Sequence, residues 1–279
     1  MPLFKPNISA MKHKRDIQAL LETMQTKDAS IRREARQAII EIGKPALPTL
    51  FAVLTNERVT APVQMDVAEI LPALHDDTCI EAMLRAVEMS RAREVATIEQ
   101  TTSASDRTYR PGFYVNQIAT SEGLFRNALA TSIGNIGGWR AVQALFKMMT
   151  EEKGAMASHI QSTIKSAMSD ALRNTDRATI RQMSELMPAG SVEARVMIAD
   201  CLTQLGGDQA VAELMEIASD EREEFSVRAA AISGIGRMAD RNLIPQLEGL
   251  QYSGNRAFVR EVQGALEAIR MRCPPPPIE

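Results

Sequence analysis

The sequence predicts an all-α fold, an α-solenoid of about seven helical hairpins, none of which can bury both of its apolar faces alone. Three observations carry this. A unit of about 33 residues, clearest from Asp208 to Asp240, joins two amphipathic helical patterns through an acidic turn and recurs along the chain. Apolar residues make up 45% of the chain and aromatics only 4%, with Ala, Leu, Ile and Met throughout, which suits helix packing better than a sheet. First and second helices, aligned independently, step by the same period.

Each second helix opens on an apolar lead residue, with apolar residues four, seven, eight and eleven positions later marking one helical face. Ile31, Ala35, Ala38, Ile39 and Ile42 fit, with Gly43 as the stop, and so do Val63, Val67, Ile70, Leu71 and Leu74. Phe125, Leu129, Ser132, Ile133 and Ile136 follow, again with a glycine after them. A weaker copy starts near Gln161 and ends at Leu172. Ala194, Ile198, Cys201, Leu202 and Leu205 precede Gly206; Val227, Ala231, Gly234, Ile235 and Met238 come next, then Phe258, Val262, Ala265, Leu266 and Ile269. The first helices show apolar pairs three apart: Ile17 with Leu20, Leu47 with Leu50, Ile80 with Met83, Val142 with Leu145, Ile180 with Met183, Val211 with Leu214 and Ile244 with Leu247. The array is expected to occupy 15–273, after an N-terminal segment 1–14 and before a proline-rich tail 274–279 that is extended and solvated.

Two stretches break the period. In the second unit Pro72 falls inside the second helix, where the missing N–H costs about 3 kcal/mol and predicts a kink. In the third, a first helix from Asp77 to Ser90 is followed by about 30 extra residues, read as a long insertion at about 91–122. Its first third can prolong the helix, TTSASD breaks it, and RTYRPGFYVN is a Pro-Gly turn. Arg107, Tyr109, Arg110, Phe113 and Tyr114 make that loop a candidate contact, since Arg and aromatic residues are enriched at binding hot spots. The alternative is a loop that folds back over an exposed edge.

One position after the lead residue, arginine recurs: Arg32, Arg126, Arg195 and Arg228, with Arg260 one place later and Gln64 replacing it in the second unit. Asp28 and Asp220 stand in the turns before Arg32 and Arg228. An Asp in the turn and a Val-Arg or Ile-Arg opening the second helix resembles HEAT repeats, in particular the short HEAT-like repeats of the phycobilin lyase type, from about Arg15 to Arg270. The resemblance implies a right-handed superhelix. It also implies a structural role for Asp28, Arg32, Arg126, Arg195, Asp220 and Arg228, bonding between turns of adjacent repeats.

Composition and motifs exclude more than they assign. The net charge of −3 supplies no cationic field for a phosphate backbone, so nucleic acid is disfavoured as a partner. No stretch of about 18 apolar residues predicts a membrane span, and the expected compartment is the cytoplasm. Cys79, Cys201 and Cys273 lack metal or redox spacing and are read as reduced, the first two in helices and buried. HEAT-repeat hydroxylases carry His-Glu pairs, whereas His13, His75 and His159 are followed here by Lys14, Asp76 and Ile160, which speaks against a di-iron site. No cofactor, metal site or catalytic set is expected.

Binding remains. In HEAT arrays the second helices line the concave face, so residues two, six and nine places after the lead are expected in the groove: Arg33 and Gln37, Met65 and Glu69, Asn127, Thr131 and Gly134, Val196, Asp200 and Thr203, Ala229, Ser233 and Gly236, Arg260, Gly264 and Glu267. The small residues of this ridge either admit a partner's backbone closely or permit tight curvature. The expected function is a non-catalytic scaffold or adaptor for another protein. The resemblance also suggests a subunit of a phycobilin-lyase-like enzyme or assembly factor, and third a DNA-lesion binder.

Overall fold

A computed structural model describes residues 6–103, 111–153, 156–173, 179–251 and 255–273, leaving aside the side chains of 100–103 and 111–119. The described secondary structure is helical throughout: α1 (Ile8–Lys14), α2 (Ile17–Met24), α3 (Ala29–Ile42), α4 (Leu47–Leu54), α5 (Ala61–Ile70), α6 (Thr78–Ser103), α7 (Pro111–Ile136), α8 (Gly138–Glu151), α9 (Ala157–Leu172), α10 (Thr179–Leu186), α11 (Val192–Leu205), α12 (Asp208–Ser219), α13 (Phe225–Met238), α14 (Ile244–Leu250) and α15 (Arg256–Arg272). Among the described residues α2 packs on α3, α4 on α5, α6 on α7, α10 on α11, α12 on α13 and α14 on α15, the consecutive helical hairpins of the α-solenoid that the period predicts. No single helix among the described residues is long and apolar enough to cross a membrane.

The chain forms two compact units, Met1–Met148 with Glu152–Ala171, and Met149–Glu151 with Leu172–Glu279. In unit 1, first helices α2, α4 and α6 stack in one layer and α1, α3, α5 and α7 in the other. In unit 2, α11, α13 and α15 pack along one another as a second-helix layer, with α10, α12 and α14 behind them.

The predicted faces are the buried faces. Ala35, Ile39, Val67, Ile70, Phe125, Leu129, Ile198, Leu202, Val227, Ile235, Phe258 and Ile269 are all fully enclosed, and so are first-helix anchors Leu20, Leu50, Met83, Leu145, Met183, Leu214 and Leu247. Side chains of this size each stabilise by about 1.5–3 kcal/mol when buried. Polar N-caps start several helices: Asp16, Asp28, Ser191 and Asn255 each accept from a backbone N–H of the first turn of α2, α3, α11 and α15. Gly43 and Gly206 end α3 and α11 at φ 73° and 68°, a region that favours glycine. The weak copy has its lead at Ile160, one residue earlier than the sequence reading. Ile160, Ile164, Ala167, Met168 and Ala171 of α9 are buried, whereas Gln161 is half-buried.

Pro72 ends α5 rather than bending it. Regular α geometry stops at Ile70, and Leu71–Leu74 continue as a 3-10 turn with the proline near its start, keeping Leu71 and Leu74 in the core.

The long step differs from the expected loop. Residues 91–103 extend α6 and residues 111–122 open α7, so both helices reach 26 residues, about 39 Å, in one elongated hairpin. Pro111 and Gly112 begin a helix instead of forming a turn between strands of loop, as a proline can at a first turn. Arg107, Tyr109 and Arg110 lie outside the described residues, as do the side chains of Phe113 and Tyr114 and the whole tail 274–279.

Candidate protein-binding surface

The recurrent position after each lead residue closes its own hairpin. Arg32 donates from Nη1 to the carbonyls of Thr26 (2.8 Å) and Lys27 (3.0 Å), Arg195 to Gly190 (3.0 Å), and Arg228 from Nε to Ala218 (2.9 Å). These carbonyls are left open where the first helix and its turn end, and a guanidinium satisfies them. Gln64, the departure, does the same work: its buried Nε2 donates to Leu54 O (2.9 Å) and Asn56 O (3.1 Å). The resemblance implied bonding between neighbouring repeats. Arg32 instead bonds within its hairpin, while Arg195 and Arg228 do both, through Glu223 at 3.1 Å and the Phe258 ring at 4.0 Å. Asp28 caps α3, and Asp220 accepts from Arg222 N within the turn.

Arg126 stands apart. It is fully buried between α6, α7 and Glu152, with Nη2 2.7 Å from Glu94 Oε2 and 3.2 Å from Glu152 Oε1, and Nη1 3.2 Å from Ser90 Oγ. Arg93 forks onto both oxygens of Glu122 at 2.9 Å, and Arg91 reaches Glu152 Oε2 at 3.2 Å and Met148 O at 3.1 Å. Three arginines balance three glutamates in this network. It gives the extension of α6 and α7 an ionic inner face, which is why an apolar pattern search reads the stretch as loop.

Along the second helices, the residues nine places after the lead do not all face outward. A methyl added at Gly134 of α7 would stand 2.6 Å from Ala167 O of α9, and one at Gly236 of α13 2.9 Å from Ala265 Cα of α15. A methyl at Gly234 would meet Thr203 Oγ1 of α11 at 2.1 Å. Ala167, Gly234 and Ala265 each lie seven places after their own lead. One rule therefore covers all three contacts: position nine of one second helix abuts position seven of the next, and a small residue lets the backbones approach. Gly134 and Gly236 are thus buried spacers and not a groove floor.

The remaining ridge positions are distributed unevenly. Arg33, Gln37, Glu69, Thr131, Asp200, Ser233 and Arg260 are exposed, whereas Asn127 is half-buried with an enclosed, unpaired Oδ1. Glu69 is held by Arg36 of α3, the preceding second helix, at 2.9 Å, Gln37 donates to Glu41 at 3.2 Å, and Asp200 faces Arg237 at 4.0 Å. Glu41 in turn pairs with Lys12, and the Lys12 and Gln37 contacts hold its carboxyl below the usual range. Beside Thr131, a groove of about 280 Å³ between α7 and α9 is walled by Ser162, Thr163, Ser166 and Asp170 with Ala167 at its base. This unit 1 groove is hydroxyl-rich and matches polar backbone or side-chain groups rather than an apolar ligand.

On the sequence side, the HEAT-repeat family profile matches residues 180–267. The solved structures that the chain resembles include the following two. Human deoxyhypusine hydroxylase in complex with glycerol is 14% identical with a TM-score of 0.37, covering 95% of this chain and 100% of that one. The complex of CpcE and CpcF of phycocyanin lyase from Nostoc sp. is 14% identical with a TM-score of 0.33, covering 91% of this chain and 94% of that one. No curated protein sequence matches the chain.

Proposed function

We propose that this chain is a non-catalytic protein-binding scaffold that presents the exposed second-helix ridge of its HEAT-like hairpins. The observation that carries the reading is the pairing of an ordered backbone layer with exposed side chains at fixed register. Gly134 on Ala167, Thr203 on Gly234 and Gly236 on Ala265 lock successive helices, while Thr131, Asp200, Ser233 and Arg260 project from the same helices. A partner meeting the exposed residues of either unit loses little of its binding energy to ordering the scaffold. Burial pushes Cys79 up to about 11 and Cys201 up to about 12, so neither of these two thiols is a thiolate nucleophile at neutral pH.

The test is capture of partners from native lysate by the wild type and by Arg33→Glu, Thr131→Arg and Ser233→Arg combined. All three positions are exposed, so the helical signal and melting temperature should hold while the specific partner is lost. Capture that is indifferent to the triple change removes the ridge as the binding surface.

A further inference from the structure

On the first-helix side of unit 2, two clefts open beside α12. Between α12 and α14 lies a cleft of about 410 Å³, floored by Val211, Met215, Met238 and Leu243. Between α10 and α12 lies another of about 390 Å³, floored by Met187 and Ile217. Both mouths are acidic: Asp208 and Asp240 rim the first, and Glu213 and Glu216 the second. No basic side chain pairs with any of these four carboxylates among the described residues; Arg195, at the second cleft, is engaged by Glu223 at 3.1 Å and Gly190 O at 3.0 Å.

From this geometry we propose a second docking surface, on the first-helix side of unit 2, for a partner segment that carries apolar anchors flanked by lysine or arginine. The flexible thioethers of Met215 and Met238 adapt to anchors of different shape. The unpaired carboxylates favour a cation beside each anchor and repel an acidic segment. The clefts flank α12 on opposite sides and are displaced along it, the first lined by Asp208, Val211, Ala212 and Met215 and the second by Glu213, Glu216 and Ile217, so a segment that crosses α12 obliquely sets one anchor in each. Residues i and i+7 lie on one face of a bound helix about 10.5 Å apart, a reach of the order of the one intervening helix.

The probe is a fluorescein-labelled amphipathic peptide with leucines at i and i+7 and lysines on the flanks, compared with the same peptide carrying glutamates. Binding to the full chain is read by fluorescence polarisation. The lysine peptide should bind and the glutamate peptide should not. Ala212→Trp, which fills the first cleft from an exposed position, should weaken binding about tenfold, and Asp208→Asn with Asp240→Asn several-fold. Glu261→Gln with Glu267→Gln, acidic and exposed on α15, should leave binding unchanged, as should the ridge triple variant. Equal binding of both peptides, or indifference to Ala212→Trp, overturns the cleft. Loss of peptide binding in the ridge variant does so too, by placing the peptide on the other layer, whereas failure of the cleft leaves the ridge test untouched.

Discussion

Asp76 shows how much one side chain does at a hairpin junction. It accepts from Thr78 Oγ1 at 2.6 Å and Thr78 N at 3.0 Å at the start of α6, and Lys44 Nζ lies 2.9 Å away. The Thr78 hydroxyl first, then Lys44, hold its carboxyl down at about 2. A carboxylate depressed in the folded state stabilises above its unfolded pKa of about 3.9, and that contribution fades as pH falls towards the folded value. The expected carbon-detected NMR titration midpoint for Asp76 is therefore near 2, rising in Thr78→Ala; an unshifted midpoint in the native protein contradicts the capping geometry. The buried thiols give a second residue-scale expectation. Under native conditions a maleimide should leave Cys79 and Cys201 unmodified while labelling the partly exposed Cys273, and all three should react in denaturant. At this scale the sequence was partly legible. Arginine at the position after the lead stood out, but Gln64 read as a departure, because the shared property is an N–H donor within reach of open carbonyls and not a charge.

At the scale of elements, the apolar spacing placed the hairpins because burial in stacked helices imposes a period that composition cannot hide. It failed on α6 and α7, whose lengthened inner faces pair Arg93 with Glu122 and Arg126 with Glu94 and Glu152 instead of burying leucines. It also placed Gly134 and Gly236 in a groove, since register alone does not distinguish a residue facing solvent from one facing the next helix. Both points are testable by urea unfolding. Arg126→Met leaves Glu94 buried without its cation and Glu152 with Arg91 alone, and should cost about 3–5 kcal/mol. Gly134→Ala and Gly236→Ala gain about 1 kcal/mol of helix propensity but collide with a neighbouring backbone, for a net loss of about 1–3 kcal/mol. Gly264→Ala, where an added methyl meets nothing within 4 Å, should instead stabilise by about 0.5–1 kcal/mol. A Gly134 variant as stable as the Gly264 variant would deny the close approach. At Gly234 the obstacle is the Thr203 hydroxyl, so Thr203→Ala should rescue part of the loss in Gly234→Ala.

For the whole molecule, hairpins that contact only their neighbours make stability a sum of local repeat and interface contributions. Two compact units then imply that damage stays where it is made. The Arg126 network ties α6 and α7 to Met148 and Glu152 within unit 1, and the Gly236 contact ties α13 to α15 within unit 2. Native-state hydrogen exchange followed by mass spectrometry separates the two. In Arg126→Met, amides of α6 and α7 should exchange about a hundredfold or more faster, the factor expected for 3–5 kcal/mol, while those of α13 and α15 keep their protection. In Gly236→Ala the pattern should invert, with a smaller factor of about 5–150 for 1–3 kcal/mol. Uniform acceleration of both units by either change would mean that the chain opens as one cooperative block. The nearest-neighbour account of its stability would then be wrong, even though every hairpin stood where the periodicity puts it.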